Sequence, residues 1–240
     1  MSMSATRVRA IYRKELREYR RNGSIVATMA LIPLGIVGFP LIEVIALPAS
    51  AASALLNGDP LVILLGIPAL VPSIVAGYAV VGERAQGTLE PVLTTPIRRE
   101  ELLLAKALAA LVPTLAVSYV VYALFLACTR LFAQPAVASA VLQAPDVLAQ
   151  VLFTPLIALL SIWIGIGFSA RSSDVRVAQQ LGAVAGLPIL LVAYLVAFDA
   201  IPATLALALG VAAALLALDG IGWRLVSAAF DRERLITSTK

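Results

Sequence analysis

Residues 104–128 read LAKALAALVPTLAVSYVVYALFLAC, an apolar run holding a single charge, Lys106, near its start. As a helix rising about 1.5 Å per residue, it is long enough to cross the ~30 Å hydrocarbon core of a bilayer. It shows no period-two alternation, and it is about twice as long as the ~10 residues of a barrel strand. A helix also satisfies its own backbone where no water is present to do so. This stretch therefore predicts a transmembrane helix.

Similar runs lie on both sides of it. Together they predict six spans, at 24–47, 60–82, 104–128, 147–170, 177–198 and 201–223, in an all-α membrane protein. The composition demands this: 61% of the 240 residues are hydrophobic and 13% charged, against about 45–50% and about 25% in an ordinary soluble domain. A soluble core cannot absorb that surplus, because a chain of this size still exposes much of its surface. Histidine is absent, which excludes imidazole as base, proton shuttle or metal ligand. The single cysteine, Cys128, cannot form an intramolecular disulfide. No metal or cofactor is expected in the chain, and no nucleic acid as partner. The basic, core-less first twenty residues do not read as a secretory signal.

Orientation follows from the basic residues. Arg7, Arg9, Arg13, Lys14, Arg17, Arg20 and Arg21 precede the first span; Arg84, Arg98, Arg99 and Lys106 cluster between the second and third. Arg171 and Arg176 separate the fourth and fifth, and Arg224, Arg232, Arg234 and Lys240 close the chain. Of the eighteen basic residues only Arg130 falls on the other side. The positive-inside rule puts both termini and the two charged loops in the cytoplasm. The outer loops, 48–59, 129–146 and the turn at 199–202, leave no room for an external domain, so the chain reads as one membrane domain, 1–240.

Before the first span, Val8, Ile11, Tyr12, Leu16 and Tyr19 recur at helical spacing with arginines on the other faces. This predicts an amphipathic helix over 5–22 suited to the membrane surface, a lipid-bilayer contact rich in cations; a plain basic flank fixing topology reads the same residues equally well. In the segment 83–99, Gly87-Thr88 can start a short helix with Thr88 as N-cap and Pro91 in its first turn. Thr95-Pro96 repeats the device, Thr95 capping and Pro96 opening the third span. A short helix across the cytoplasmic mouth, or a mere surface cap, would result.

This segment resembles the signature of the type-2 ABC exporter permeases, the drug, antibiotic and sodium exporter branch. The matching positions are Glu83, Arg84, Gly87, Thr88, Leu89, Glu90, Leu93, Thr95 and Pro96. Arg13-Lys14-Glu15-Leu16 is similar to that family's N-terminal helix. Ala178-Gln179-Gln180 followed by Leu187-Pro188 is similar to the opening of its fifth span, and Phe230-Asp231-Arg232-Glu233-Arg234-Leu235-Ile236-Thr237 to its C-terminal end. Pro91 departs from the pattern. The resemblance implies that two membrane subunits pair in a bacterial plasma membrane, the second a copy or a relative. Two cytosolic ABC ATPase subunits, holding ATP and Mg, would dock beneath. Segment 83–96 would be the coupling helix, with Glu83, Arg84 and Glu90 in ionic contacts and Leu89 and Leu93 on its apolar face. The connection from the fifth to the sixth span would be a pair of half-helices dipping back from the outer surface.

The chain itself contains no Gly-x-x-x-x-Gly-Lys-Ser/Thr loop, hence no phosphate cradle. It is not expected to be an ATPase. Acidic residues in spans are costly and mark candidate sites. Glu43, towards the outer end of the first span, could line a substrate path or simply reach water at the interface. Asp219, in the last span, could serve transport or pair with Arg224. An ion-gradient-driven secondary transporter is the alternative, with Glu43 and Asp219 as coupling carboxylates. Short outer loops and an apolar interior favour a small amphiphilic substrate, a drug, antibiotic or lipid.

Overall fold

The computed structural model describes residues 4–50, 52, 60–87, 97–197 and 204–229. All regular elements among them are helical: α1 (Ala5–Arg21), α2 (Gly23–Ala46), α3 (Pro60–Ile63), α4 (Gly66–Gly77), α5 (Val81–Ala85), α6 (Arg99–Phe132), α7 (Pro135–Val141), α8 (Ala144–Arg171), α9 (Val175–Ala197) and α10 (Leu205–Ala229). Six helical stretches are long and apolar enough to cross a membrane: α2, the broken rod α3–α5, α6, α8, α9 and α10. Leu31, Leu34, Phe39, Val184, Leu191, Leu209 and Leu225 point outward, as expected where the surrounding medium is lipid.

The centre is α4, packed against α8, α9, α6 and α2. Small residues permit the approach. A Cβ on Gly165 of α8 would lie 2.5 Å from the Ser73 carbonyl oxygen. On α9, one on Gly182 would lie 3.0 Å from the same oxygen and one on Gly186 2.9 Å from that of Ala69. Gly182 and Gly186 stand four apart on one face, the spacing by which membrane helices bring backbones together. Pairing Ala69 with Gly186, Ser73 with Gly182 and Gly77 with Gln179 makes α4 and α9 antiparallel.

Four details refine the expected spans. The second span is interrupted by turns at Leu64–Leu65 and Tyr78–Val80. The third helix begins at Arg99, with Arg98 as N-cap, so Thr95 and Pro96 do not open it. The Glu101 carboxylate accepts from the Arg98 backbone N–H at 3.2 Å and fixes the start there. The outer segment 129–146 is largely helical: α6 runs on to Phe132 and α7 follows, with Pro135 in its first turn and Val137 and Val141 buried in the core. Finally, α6 extends beyond 104–128 at both ends. The half-helix pair expected around 198–203 and the C-terminal segment 230–240 lie outside the described residues.

Asn22 alone separates α1 from α2. Its extended backbone donates back to Glu18 and Tyr19, while its side-chain oxygen accepts from the Ser24 and Ile25 N–H groups. It ends one helix and caps the next.

Candidate functional site

At the junction of α1, α5 and α6 the chain buries an ion cluster. Lys106, on the second turn of α6, is 0% exposed; Glu15 of α1 is 1% and Glu83 of α5 3% exposed. The Lys106 ammonium lies 2.9 Å from Glu15 Oε1, 2.9 Å from Glu83 Oε2 and 2.6 Å from the Ala79 carbonyl oxygen. Lys14, half-exposed, donates to Glu83 Oε1 and lies 3.2 Å from Glu18. Two cations thus face Glu15 and Glu83, and buried charges are tolerable only with such pairing.

The break in the second span makes the site. At Tyr78–Val80 the helical ladder stops, and the Val80 and Val81 N–H groups donate instead to Ser169 Oγ of α8, at 2.9 and 3.0 Å. The interruption leaves the Ala79 carbonyl to Lys106. Side chains from two other spans therefore satisfy the backbone that the turn exposes.

Burial depresses the Lys14 pKa, but the hydrogen bond and charge of Glu83, with Glu15 and Glu18, outweigh it and raise the ammonium above the usual lysine range. Burial pushes the Glu15 carboxyl up, against the pull of Lys106 and Lys14. Burial likewise raises the Tyr19 phenol, helped by the negative charges of Glu15 and Glu83. Glu15, Glu18 and Glu83 offer carboxylate oxygens within 4.8 Å of one another, a spacing suited to a metal ion. The Lys14 and Lys106 ammonium groups already pair with these oxygens, two cations among three carboxylates, which makes this an amine–carboxylate cluster. A second tie holds α1 to α6: Glu101 accepts from the Ser4 N–H at 2.7 Å and from Arg7 at 3.3 Å.

The residues singled out from sequence fall as follows. Glu83, expected to meet another subunit, is enclosed by its own chain's lysines. Arg84 donates to the Ser172 carbonyl oxygen at 3.0 Å, binding the end of α5 to that of α8. Gly87 has φ +69°, the left-handed conformation glycine adopts without penalty, and ends α5. Thr88, Leu89, Glu90, Leu93, Thr95 and Pro96 lie outside the described residues. Glu43 is exposed on α2, far along the chain from the cluster. Asp219 is 6% exposed, and neither carboxylate oxygen has a hydrogen-bond partner among the described residues. The pairing of Asp219 with Arg224 is absent: Arg224 is exposed, and no ion pair joins the two.

The family model described as ABC-2 family transporter protein matches residues 9–230. The chain belongs to that family. No curated protein matches it. Membership makes it a multi-pass membrane protein of the ABC transporter permease type, and implies association with an ABC ATPase and a bilayer.

In this ABC-2 permease, sequence reasoning missed the roles of Glu15, Lys106 and Ser169. A signal was present for the first. Glu15 falls on the apolar stripe of α1, between Ile11 and Tyr19, where a solvated charge has no place. Lys106 was read as a flanking topogenic charge. Nothing in the sequence marks Ser169.

Proposed function

We propose that this chain is the permease subunit of an ATP-driven exporter that moves a small amphiphilic molecule, a drug, antibiotic or lipid, outward across a bacterial plasma membrane. Both termini face the cytoplasm. Two copies of a separate cytosolic ABC ATPase, holding ATP and Mg, drive it, and a second membrane subunit, a copy or a relative, completes the pore. Segment 83–99 is the coupling element, and α1 is an amphipathic helix lying at the cytoplasmic surface.

The observation that carries this reading is the Lys106–Glu15–Glu83 cluster. It joins α1, the end of the broken second span and the start of α6 immediately beside segment 83–99. Arg84 adds α8 to the same base. A force applied to that segment would therefore reach several spans at once, because packed elements shift as units. With no phosphate-binding loop in the sequence, the energy source is another polypeptide.

The test is gentle extraction of the tagged chain from native membranes, with mass spectrometry of what accompanies it. A stoichiometric P-loop ATPase is expected, and the number of membrane subunits distinguishes a homodimer from a heterodimer. If no ATPase is recovered even after crosslinking in intact membranes, the motor-driven reading fails and ion-gradient transport replaces it.

A further inference from the structure

The last span turns Leu215, Asp219 and Val226, all buried, and the half-buried Gly222 to one side, at the 3–4 residue spacing of one helix face. Its contacts place α10 against α8. Leu215 clusters with Ile157, a Cβ on Gly222 would lie 2.9 Å from Trp163 Cβ, and one on Gly167 would lie 3.8 Å from Val226 Cγ2. Positions rise together along both helices, so the two run parallel. Asp219 is bracketed between the Leu215 and Gly222 contacts, in the seam.

Three features lie along this seam. The Asp219 carboxylate is more than nine-tenths buried and unbonded. The Trp163 indole N–H, 5% exposed as a residue, is also without a hydrogen-bond partner among the described residues. Trp163 and Trp223 meet edge to face, ring centroids 5.4 Å apart at 73°. The other sides of α10 carry Leu209, Leu216, Ile221 and Leu225 outward, so this helix lies at the lipid-facing edge of the bundle with the seam behind it.

A carboxylate in an apolar membrane interior needs a proton or a cation, and no basic side chain of the described residues supplies one. Aromatic faces beside a carboxylate attract organic cations in particular, because ring quadrupole and negative charge act together in a poorly solvated place. We propose that Asp219, with Trp163 and Trp223, forms a binding site for a lipophilic organic cation entering from the bilayer through the α8–α10 seam. Asp219 supplies the counter-charge and the two indoles the apolar, polarisable wall. This narrows the substrate class of the exporter reading and rests on that reading only for the step from binding to transport.

The chain contains two tryptophans, and both stand at this seam, so intrinsic tryptophan fluorescence reports on the site directly. The full chain in lipid nanodiscs is titrated with tetraphenylphosphonium, a permanently charged cation, and with neutral triphenylphosphine oxide. Saturable quenching by the cation and none by the neutral analogue is expected. Asp219→Asn should weaken cation binding by about tenfold or more, and Asp219→Glu should retain it. Unchanged circular dichroism and gel-filtration behaviour of both variants controls for folding. Equal affinity of wild type and Asp219→Asn, or equal quenching by cation and neutral analogue, overturns the proposal. Because no ATPase enters the measurement, that failure leaves the permease reading intact, while loss of the ATPase partner leaves the binding result intact.

Discussion

The ammonium of Lys106 lies 2.9 Å from the Glu15 carboxylate, joining two helices that are 91 residues apart in sequence. Both side chains are fully enclosed, so this contact trades solvation for geometry. Such a pair contributes little compared with an apolar substitute, yet removing one partner is costly because the other remains buried and charged.

Replacing Lys106 by Met should therefore destabilise the chain by about 3–5 kcal/mol, since Glu15 and Glu83 lose their shared cation. The double variant Lys106→Met with Glu15→Gln should recover part of that loss. Thermal unfolding in mild detergent measures both, and a double variant no more stable than the single one would refute the pairing.

Lys14 gives a pH signature. Its folded-state pKa is raised, with burial opposing and Glu83 and its neighbours prevailing. A lysine held protonated in the folded state contributes its full stabilisation below the unfolded value of about 10.4 and loses it as pH rises through the folded value. The stability difference between wild type and Lys14→Met should stay constant from neutral pH to about pH 10 and shrink above it. Melting temperatures across that range check this; a difference that changes between pH 6 and 9 contradicts it.

Two glycines of α8 should respond oppositely to the same change. Gly165→Ala places a methyl 2.5 Å from the Ser73 carbonyl oxygen and 2.8 Å from Ala76 Cβ, and backbone cannot yield as a flexible side chain does. A loss of about 1–3 kcal/mol is expected. Gly167→Ala meets only Val226 Cγ2 at 3.8 Å and should be neutral or gain up to about 1 kcal/mol from helix propensity. Comparing unfolding of the two variants separates close packing from a general intolerance of α8.

Reversal of Glu90 to Lys together with Leu93→Asp tests the coupling segment. On the proposed reading, export should fall by about tenfold or more while the protein remains inserted, because charge and apolar contact at the ATPase interface are both inverted. ATP hydrolysis should lose its response to substrate. Wild-type export and stimulated hydrolysis in that variant would remove the coupling assignment.

The six spans were legible because a bilayer imposes a length and an apolarity that a sequence states openly. What was hidden depends on partners far along the chain. The turn at Tyr78–Val80 sits in an apolar run between Gly77 and Gly82, glycines common enough in membrane helices to mark no break by themselves, and only Ser169, on another span, explains how the Val80 and Val81 N–H groups are satisfied. The start of α6 was misplaced because Thr95-Pro96 is a good local signal, yet Glu101 caps Arg98 instead. Lys106 was read as a membrane flank, because composition alone does not separate a flanking charge from a buried one. The four-residue spacing of Gly182 and Gly186, like the interruption of an apolar stripe by Glu15, is a signal present in the sequence that gains its meaning only from the helices packed against it.

Asn22 makes the link between the anchored helix and the first span a single residue long. Because α1 is fastened to α6 by Glu15, Arg7 and Ser4 while both helices terminate independently at this residue, the joint between them reduces to the two backbone torsions of one asparagine. A displacement of the anchored helix is therefore handed to the first span through one residue, with no loop between them to absorb it.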